Sequence, residues 1–354
     1  MPRFENDIMG LIPQTDWLNV GFDVTRQNDP IDGLFGDQRT DNLVAEWESI
    51  ASEYQIPSIA QFHSFDVESQ TTVRVPIDAH NVEKGLIKVK LNQSERMRAL
   101  LNRGVRNDAL YNYVLDDGIN LAEQVFTRSK VAKNELLATG KVTIKENDLN
   151  LTVDYGVPQN HTNLTLDFGS SATDDVLTQI DTIVTNALNN GVVINGIATS
   201  RAVIQKLRKN SDIQKAIGGV YMDGALVRYA ALEAFLSEEF GINRVVTNDL
   251  VYALPRGINK TTGRPTNVTK RYYPDNKVTF FATNNGGMLG TGLWGNPPEM
   301  DGIDLQGNMS AQFPYVYVSQ WQEKDPAVIW TKASALFMPV LYNPDSLYIA
   351  TVQE

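Results

Sequence analysis

The sequence predicts an α+β chain in which one long helix is laid on a sheet and a later stretch folds as a second, α/β unit. Three observations carry this. The run from Asp108 to Thr139 repeats apolar residues at helical spacing, at Leu110, Val114, Leu121, Val125, Ala132 and Leu136, widened by Leu115, Phe126 and Leu137. Short strand-like runs flank it and recur at the C-terminus. From Asp174 the pattern changes to helices alternating with buried strands.

The long helix has capping residues at Asn107 and Asp108 and a closing Gly140. At 1.5 Å per residue it would be about 45 Å long. Such a helix is rarely stable in water by propensity alone, so its stripe needs a sheet or other helices to cover it. The other face, Asp116, Asn120, Glu123, Arg128, Lys130, Lys133 and Asn134, is expected to meet water. After Gly140, Lys141–Lys145 and Leu149–Val153 suit a hairpin, while Ala335–Val340 and Leu347–Val352 around Asn343-Pro344-Asp345 give two further strands. The sheet beneath the helix is therefore expected from the chain's middle and end.

Residues 1 to about 40 mix aromatics (Phe4, Trp17, Phe22, Phe35) with turn formers and show weak periodicity. They read either as a tail on the surface or as an arm that buries its aromatics on a neighbouring subunit. From Asn42 to about Asn92 the runs are strand-like. Val73, Val75 and Ile77 share one face, and Ile87, Val89 and Leu91 share another, as in a long hairpin that needs a partner to cover it. Leu43–Ile50 reads as strand, with a short helix as the alternative. Gln93–Gly104 reads as a short helix whose arginines form a solvated face or inter-subunit pairs, and Gly156–Ser171 reads as loop. The α/β stretch places helices at Asp175–Asn190, Ser200–Arg208 and Gly224–Phe240 and strands at Val192–Ala198, Asn243–Asn248 and Lys277–Ala282, with a solvated loop at Pro255–Lys270. Asp174 to about Gly295 reads as a second domain.

The chain has 354 residues, enough for a sizeable core, and 42% hydrophobic with 21% charged residues is an ordinary globular balance. It has no cysteine, which removes disulfides, thiolate metal sites and thiol nucleophiles. A net charge of −11 argues against a general nucleic-acid-binding surface. No apolar run of membrane-spanning length occurs, and the start MPRFENDIMGLIPQTDW lacks a signal-peptide pattern, so an intracellular product is expected.

The order of parts, with LNQSERMRALLNRG leading into the long helix, VINGIATSRAVIQKLRKNSDIQKAI, YYPDNKVTFFATNNGGMLGTGLWG and the ending ASALFMPVLYNPDSLYIATVQ, resembles the major capsid proteins of tailed bacteriophages, specifically the lambda-type major capsid protein E family. The resemblance spans nearly the whole chain. It implies the Hong Kong 97-type fold: an N-arm at 1–40, an extended E-loop β-hairpin at 41–92, a peripheral domain at 93–170 with a spine helix and completed by 300–354, and an axial α/β domain at 171–299. It implies a non-enzymatic shell protein that assembles with itself as hexamers and pentamers into an icosahedral head enclosing double-stranded DNA without sequence-specific binding. Implied partners are a scaffolding protein, expected as a separate chain because this one opens on its arm, a portal and a decoration protein. The implied setting is a virion capsid assembled in the bacterial cytoplasm, without a membrane. Subunit contacts are expected at Trp17, Phe22, Trp47, Phe62, Phe65, Val73 and Val75. An encapsulin-like nanocompartment is the alternative within the same fold, and a hydrolase or carbohydrate-binding protein built on the α/β part is the alternative outside it.

Little in the sequence points to catalysis. The three histidines, His63, His80 and His161, lack metal-ligand spacing, and for His63 and His80, in the hairpin region, an ordinary exposed or interface role is the simpler reading. The stretch Asn284–Gly292 looks like a phosphate-cradling loop but precedes no helix and has no Lys-Ser/Thr pair, so a tight turn region is the simpler reading. Asp116-Asp117 and Asp174-Asp175 are adjacent, point about 100° apart on a helix, and do not converge as acid and base. No cofactor or catalytic residue is assigned.

Overall fold

One helix, α1, runs unbroken over Asn107–Thr139 and organises what surrounds it. The structure is a computed structural model describing residues 29–50, 77–93, 107–146, 149–169, 175–219, 226–254, 268–283, 287–300, 309–312, 315–323 and 328–353, with single positions at 56, 59, 60, 62, 63 and 65. Leu121, Val125, Phe126, Ala132, Leu136 and Leu137 of α1 are all buried. At roughly 1.5–3 kcal/mol per large side chain, this stripe is the helix's principal attachment. Gly140 closes the helix with φ 71°, and its N–H donates to the Leu136 carbonyl at 2.7 Å. A side chain there would also lie 2.8 Å from Val157, so the position is closed sterically as well.

The stripe rests on a six-stranded sheet formed by β1 (Phe35–Arg39), β4 (Gly85–Gln93), β13 (Gly290–Gly295), β14 (Met309–Gln312), β15 (Tyr317–Glu323) and β16 (Val328–Leu341). The long strand β16 is its axis. β4 pairs along one edge, from Gly85↔Phe337 to Gln93↔Ile329, while β15 and β13 pair end to end along the other. The chain's end does supply this sheet, as the sequence indicates, but the middle hairpin does not: β5 (Lys141–Glu146) and β6 (Leu149–Asp154) pair only with each other.

The 41–92 region needs a correction. The sequence pairs the run ending at Ile77 with Leu86–Asn92 as a hairpin. In the structure β3 (Ile77–Glu83) instead pairs with β2 (Val44–Ile50), and β4 leaves to join β16. Ile87 and Val89 of this alternation pack against the first core while Leu91 stays exposed, a long-range partnership that a local pattern cannot specify. The strand reading of Leu43–Ile50 holds. Lys84 sits where β3 passes into β4. It is 3% exposed, donates to the Asn42 carbonyl at 2.5 Å and the Thr40 carbonyl at 3.1 Å, and also bonds the Thr40 hydroxyl.

A five-stranded sheet forms the second unit from β7 (Leu164–Asp167), β8 (Gly196–Thr199), β9 (Arg244–Thr247), β12 (Lys277–Phe281) and β17 (Leu347–Gln353). Its core takes in α3 (Val176–Asn189), α4 (Arg201–Lys209), α5 (Ser211–Gly218) and α6 (Tyr229–Phe240). Asp175 caps α3 through Thr178 N–H at 2.8 Å, and Ser200 caps α4 through Val203 N–H at 3.3 Å. The loop reading of Gly156–Ser171 fails here, because that stretch holds the turn α2 (Gln159–Thr162) and β7, which pairs in parallel with β17. β7 has four residues, too few for a periodic signal. The strand expected over Val192–Ala198 is confined to β8, and Ile213–Ile217 is helical. Residues 94–104 and 255–267 of the expected short helix and solvated loop lie outside the described residues.

His161 on α2 is 3% exposed. Its ring stacks on Tyr348 of β17 with centroids 3.9 Å apart, and burial holds its pKa below the ordinary histidine value. A depressed histidine pKa gives stability that is present above the unfolded value, near 6.5, and is lost as pH falls through the folded one. His161→Phe, which keeps a ring on Tyr348, is expected to remove this acid sensitivity. Thermal denaturation of both proteins should show a melting-temperature gap that changes between pH 7 and pH 5; parallel curves would contradict the assignment.

Candidate assembly site

Of the α1 face that the sequence assigns to water, Asn120 is exposed and Glu123 and Arg128 are half-buried, but the C-terminal part is buried. Lys130, Lys133 and Asn134 are at most 7% exposed, because the segment from Asp29 to Asp37 lies along them. A 3-10 turn at Pro30–Gly33 starts this segment, capped by Asp29, whose Oδ1 accepts from Ile31 N–H at 2.9 Å. Ile31, Leu34 and Phe35 are each at most 1% exposed and anchor it in the first core.

Polar contacts fix the segment's register. Lys133 Nζ donates to Asp37 Oδ1 at 2.9 Å, Asp32 Oδ1 at 3.1 Å and the Phe35 carbonyl at 3.4 Å. Trp294 Nε1 donates to the same Asp37 oxygen at 2.8 Å, and Lys130 Nζ lies 3.8 Å from Asp32 Oδ2. Asn134 Nδ2 donates to Asp29 Oδ2 at 2.9 Å, while Asn248, just beyond β9, donates to Asp29 Oδ1 at 3.0 Å and Asn134 Oδ1 at 2.8 Å. Burial pushes the Asp29 carboxyl above the usual carboxylate range, against the hydrogen bonds from Ile31 and Asn134 that pull it down. A network of this kind adds little net stability over an apolar packing, but removing one charged member costs roughly 3–5 kcal/mol, so it enforces one arrangement. Gly292 of β13 makes room for it: a Cβ there would lie 2.7 Å from Asp37 Oδ1 and 3.0 Å from Lys133 Cε.

The second unit also holds the end of α1. Thr279 Oγ1 of β12 donates to the Leu137 carbonyl at 2.8 Å, and Lys277 Nζ donates to the Ala138 carbonyl at 3.1 Å. Two carbonyls of the last turn, which the helix cannot satisfy itself, are thereby partnered, one by a cation suited to the negative end of the dipole. The N-terminal turn, the helix and both sheets meet at this junction.

Of the predicted contact residues, Trp47 is enclosed by its own chain. It is 9% exposed, with its ring 5.3 Å from His80 and 5.6 Å from Tyr155. Phe62 and Phe65 are at the opposite extreme, 105% and 97% exposed, with Ile59 at 93%. The structure therefore separates these three from Trp47. Trp17, Phe22, Val73 and Val75 lie outside the described residues. The junction residues Asp29, Asp32, Asp37, Lys133, Asn134 and Asn248 were not singled out by sequence. The available signal was three acidic residues within nine positions facing two lysines at i, i+3 on a helix, but pairing them requires knowing that the two segments touch. Among the described residues no group of three or more His, Cys, Asp or Glu could hold a metal ion.

Comparison with known proteins gives a consistent answer. A model of the family described as phage major capsid protein E matches residues 51–352. Among solved structures, a prophage capsid protein of E. coli CFT073 superposes with a TM-score of 0.55 at 12% identity, covering 96% of this chain and 97% of that one. A phage-related protein of Bordetella bronchiseptica RB50 superposes at 0.51 and 9% identity, covering 94% and 95%. A chain of Microbacterium phage Oxtober96 superposes at 0.50 and 10% identity, covering 93% and 92%. At these identities the likeness is one of fold. No curated protein sequence matches.

Two substitutions test the junction. Lys133→Met removes the cation between two carboxylates and is expected to destabilise the unassembled subunit by about 3 kcal/mol. Gly292→Ala forces a methyl group into the same space and is expected to cost about 1–3 kcal/mol. Urea denaturation followed by tryptophan fluorescence measures both, and midpoints equal to the parent would show the network to be peripheral.

Proposed function

The chain belongs to the phage major capsid protein E family, and from that premise we propose that it builds the icosahedral head shell around the double-stranded DNA of a tailed phage. The family match over residues 51–352 carries this reading, and the superposition on the prophage capsid protein supports the fold. In this reading residues 1–28 are the arm, β2, β3 and the residues between them form the extended loop, α1 is the spine of the peripheral domain, and the five-stranded sheet with its helices is the axial domain. The segment Asp29–Phe35, first read as part of the arm, belongs to the core of its own subunit.

The physical case is that a shell subunit must bind several neighbours at once, through parts it cannot satisfy alone. Ile59, Phe62 and Phe65 fit that requirement, since apolar side chains this exposed gain most from a covering neighbour. Trp17, Phe22, Val73 and Val75 are assigned the same role, with Trp47 bracing the loop from within. Hexamers and pentamers are the expected capsomers, with a scaffolding protein, a portal and a decoration protein as partners, and the protein acts by assembling and not as an enzyme. The net charge of −11 suits a wall that must later release its DNA. An encapsulin-like compartment remains the competing use of this fold; the family match favours the phage head.

Negative-stain microscopy of the expressed protein, with its scaffold, should show closed particles, whereas persistent monomers would contradict the reading. Removing residues 1–28 is expected to leave the remaining subunit folded, with a cooperative thermal unfolding transition, while abolishing particles. Removing 1–35 would also take out Ile31, Leu34 and Phe35 and is expected to unfold the subunit. Normal particles from the shorter truncation would sink the role given to the arm.

A further inference from the structure

We infer that Lys84 sets the angle at which the ribbon of β2 and β3 leaves the body of the subunit and, through that angle, the curvature at which subunits join. The second half rests on the shell reading; the first does not. The chain passes out of the six-stranded sheet through residues 40–43, between β1 and β2, and returns through Lys84 alone, between β3 and β4. β1 and β4 are held in that sheet by β13 and β16, whereas among the described residues β2 and β3 pair only with each other. A two-stranded ribbon has no third strand to brace it, so its direction is decided at its root.

Lys84 ties the outgoing and returning links together. Its backbone N–H donates to the Leu43 carbonyl at 3.0 Å. Its ammonium, with three protons to place, has three acceptors in the outgoing link: the Asn42 carbonyl, the Thr40 carbonyl and the Thr40 hydroxyl. That link is fixed to the body in its turn. Thr40 N–H donates to the Trp294 carbonyl of β13 at 2.8 Å, and Asn296 accepts from Arg39 Nε at 2.9 Å and donates to Asp41 Oδ1 at 3.0 Å. Gly295 leaves the space, since a Cβ there would lie 3.2 Å from both Cδ and Nζ of Lys84.

The other contacts at the root are apolar. Ala45 and Trp47 are buried in the first core and Val82 packs on it, with the Trp47 ring 5.6 Å from Tyr155. Such contacts hold the ribbon down without selecting one angle, whereas hydrogen bonds weaken steeply as they bend. The ribbon then works as a lever. Its seven paired rows, from Val44↔Glu83 to Ile50↔Ile77, span about 20 Å, so a tilt of about 10° at Lys84 moves the far row by about 3–4 Å. Neighbours gripped beyond that row, where Ile59, Phe62 and Phe65 are exposed, would meet the subunit at a different inclination, which is a change of curvature.

Because the chain has no cysteine, spin labels can be placed at Glu48→Cys on the ribbon and Asn120→Cys on α1, both exposed positions. Double electron–electron resonance on the unassembled full-length subunit should give one narrow distance, and adding Lys84→Met should at least double its width or shift its centre. Lys84→Met removes the charge together with its bonds and strands no buried carboxylate, so a folded subunit is expected. Gly295→Ala, which crowds the ammonium but keeps it, serves if Lys84→Met does not fold. The same variants without labels, assembled with scaffold and imaged by electron microscopy, are expected to give open sheets or shells spread in diameter where the parent gives one size. A parent distance already broad, or one that neither variant changes, would overturn the positioning role. A changed distance with shells of the parent's diameter would overturn the link to curvature. Failure of the parent to form any shell would overturn the shell reading, while the distance measurement would still decide the role of Lys84.

Discussion

The structure depends on a helix with more sides to cover than one sheet can reach. A strip of apolar residues puts α1 on the six-stranded sheet, but Lys133 and Asn134 point elsewhere and are still buried. Buried cations and amides need partners of matching geometry, and these come from Asp32 and Asp37, Asp29 and Asn248, the nearest of which is 96 residues away in sequence. Satisfying the helix therefore commits the N-terminal turn and the second sheet to defined positions. Apolar packing would tolerate several placements of that turn; carboxylates opposed to Lys133 and Asn134 do not.

The same requirement explains how one chain serves two sheets. β16 ends at Leu341 and β17 begins at Leu347, joined by a turn at Pro344–Ser346 capped by Asn343, yet the two strands lie in different sheets. β12, the neighbour of β17, supplies Thr279 and Lys277 to the last carbonyls of α1. The sheets are thus tied through the helix terminus as well as by the connecting turn. A shell subunit placed under load by its neighbours needs such ties, since loosely associated units move relative to one another by default.

Much of this was legible in the sequence, and the divisions have physical causes. α1, its Gly140 terminus, the β5–β6 hairpin and the helices α3, α4 and α6 follow from periods and caps that act within a few residues. The partner of β4 is not legible because the alternation at Ile87 and Val89 specifies only that one face is covered, not by what. β7 was missed because four residues cannot display a period. Lys130, Lys133 and Asn134 were assigned to water because a charged residue is normally exposed, and nothing local reveals that three aspartates about a hundred positions away will meet them. Trp47 was read as a contact for a neighbour, whereas His80 and Tyr155 of its own subunit surround it.

The central claim is that each subunit completes its junction alone and leaves its outlying parts for others to complete. Amide hydrogen exchange on unassembled subunits and on closed shells tests this most directly. The account predicts that residues 29–39 and the C-terminal half of α1 are equally protected in both, while residues 1–28 and 51–76 gain protection only in the shell. Protection of those outlying segments that is already complete in the isolated subunit would contradict it.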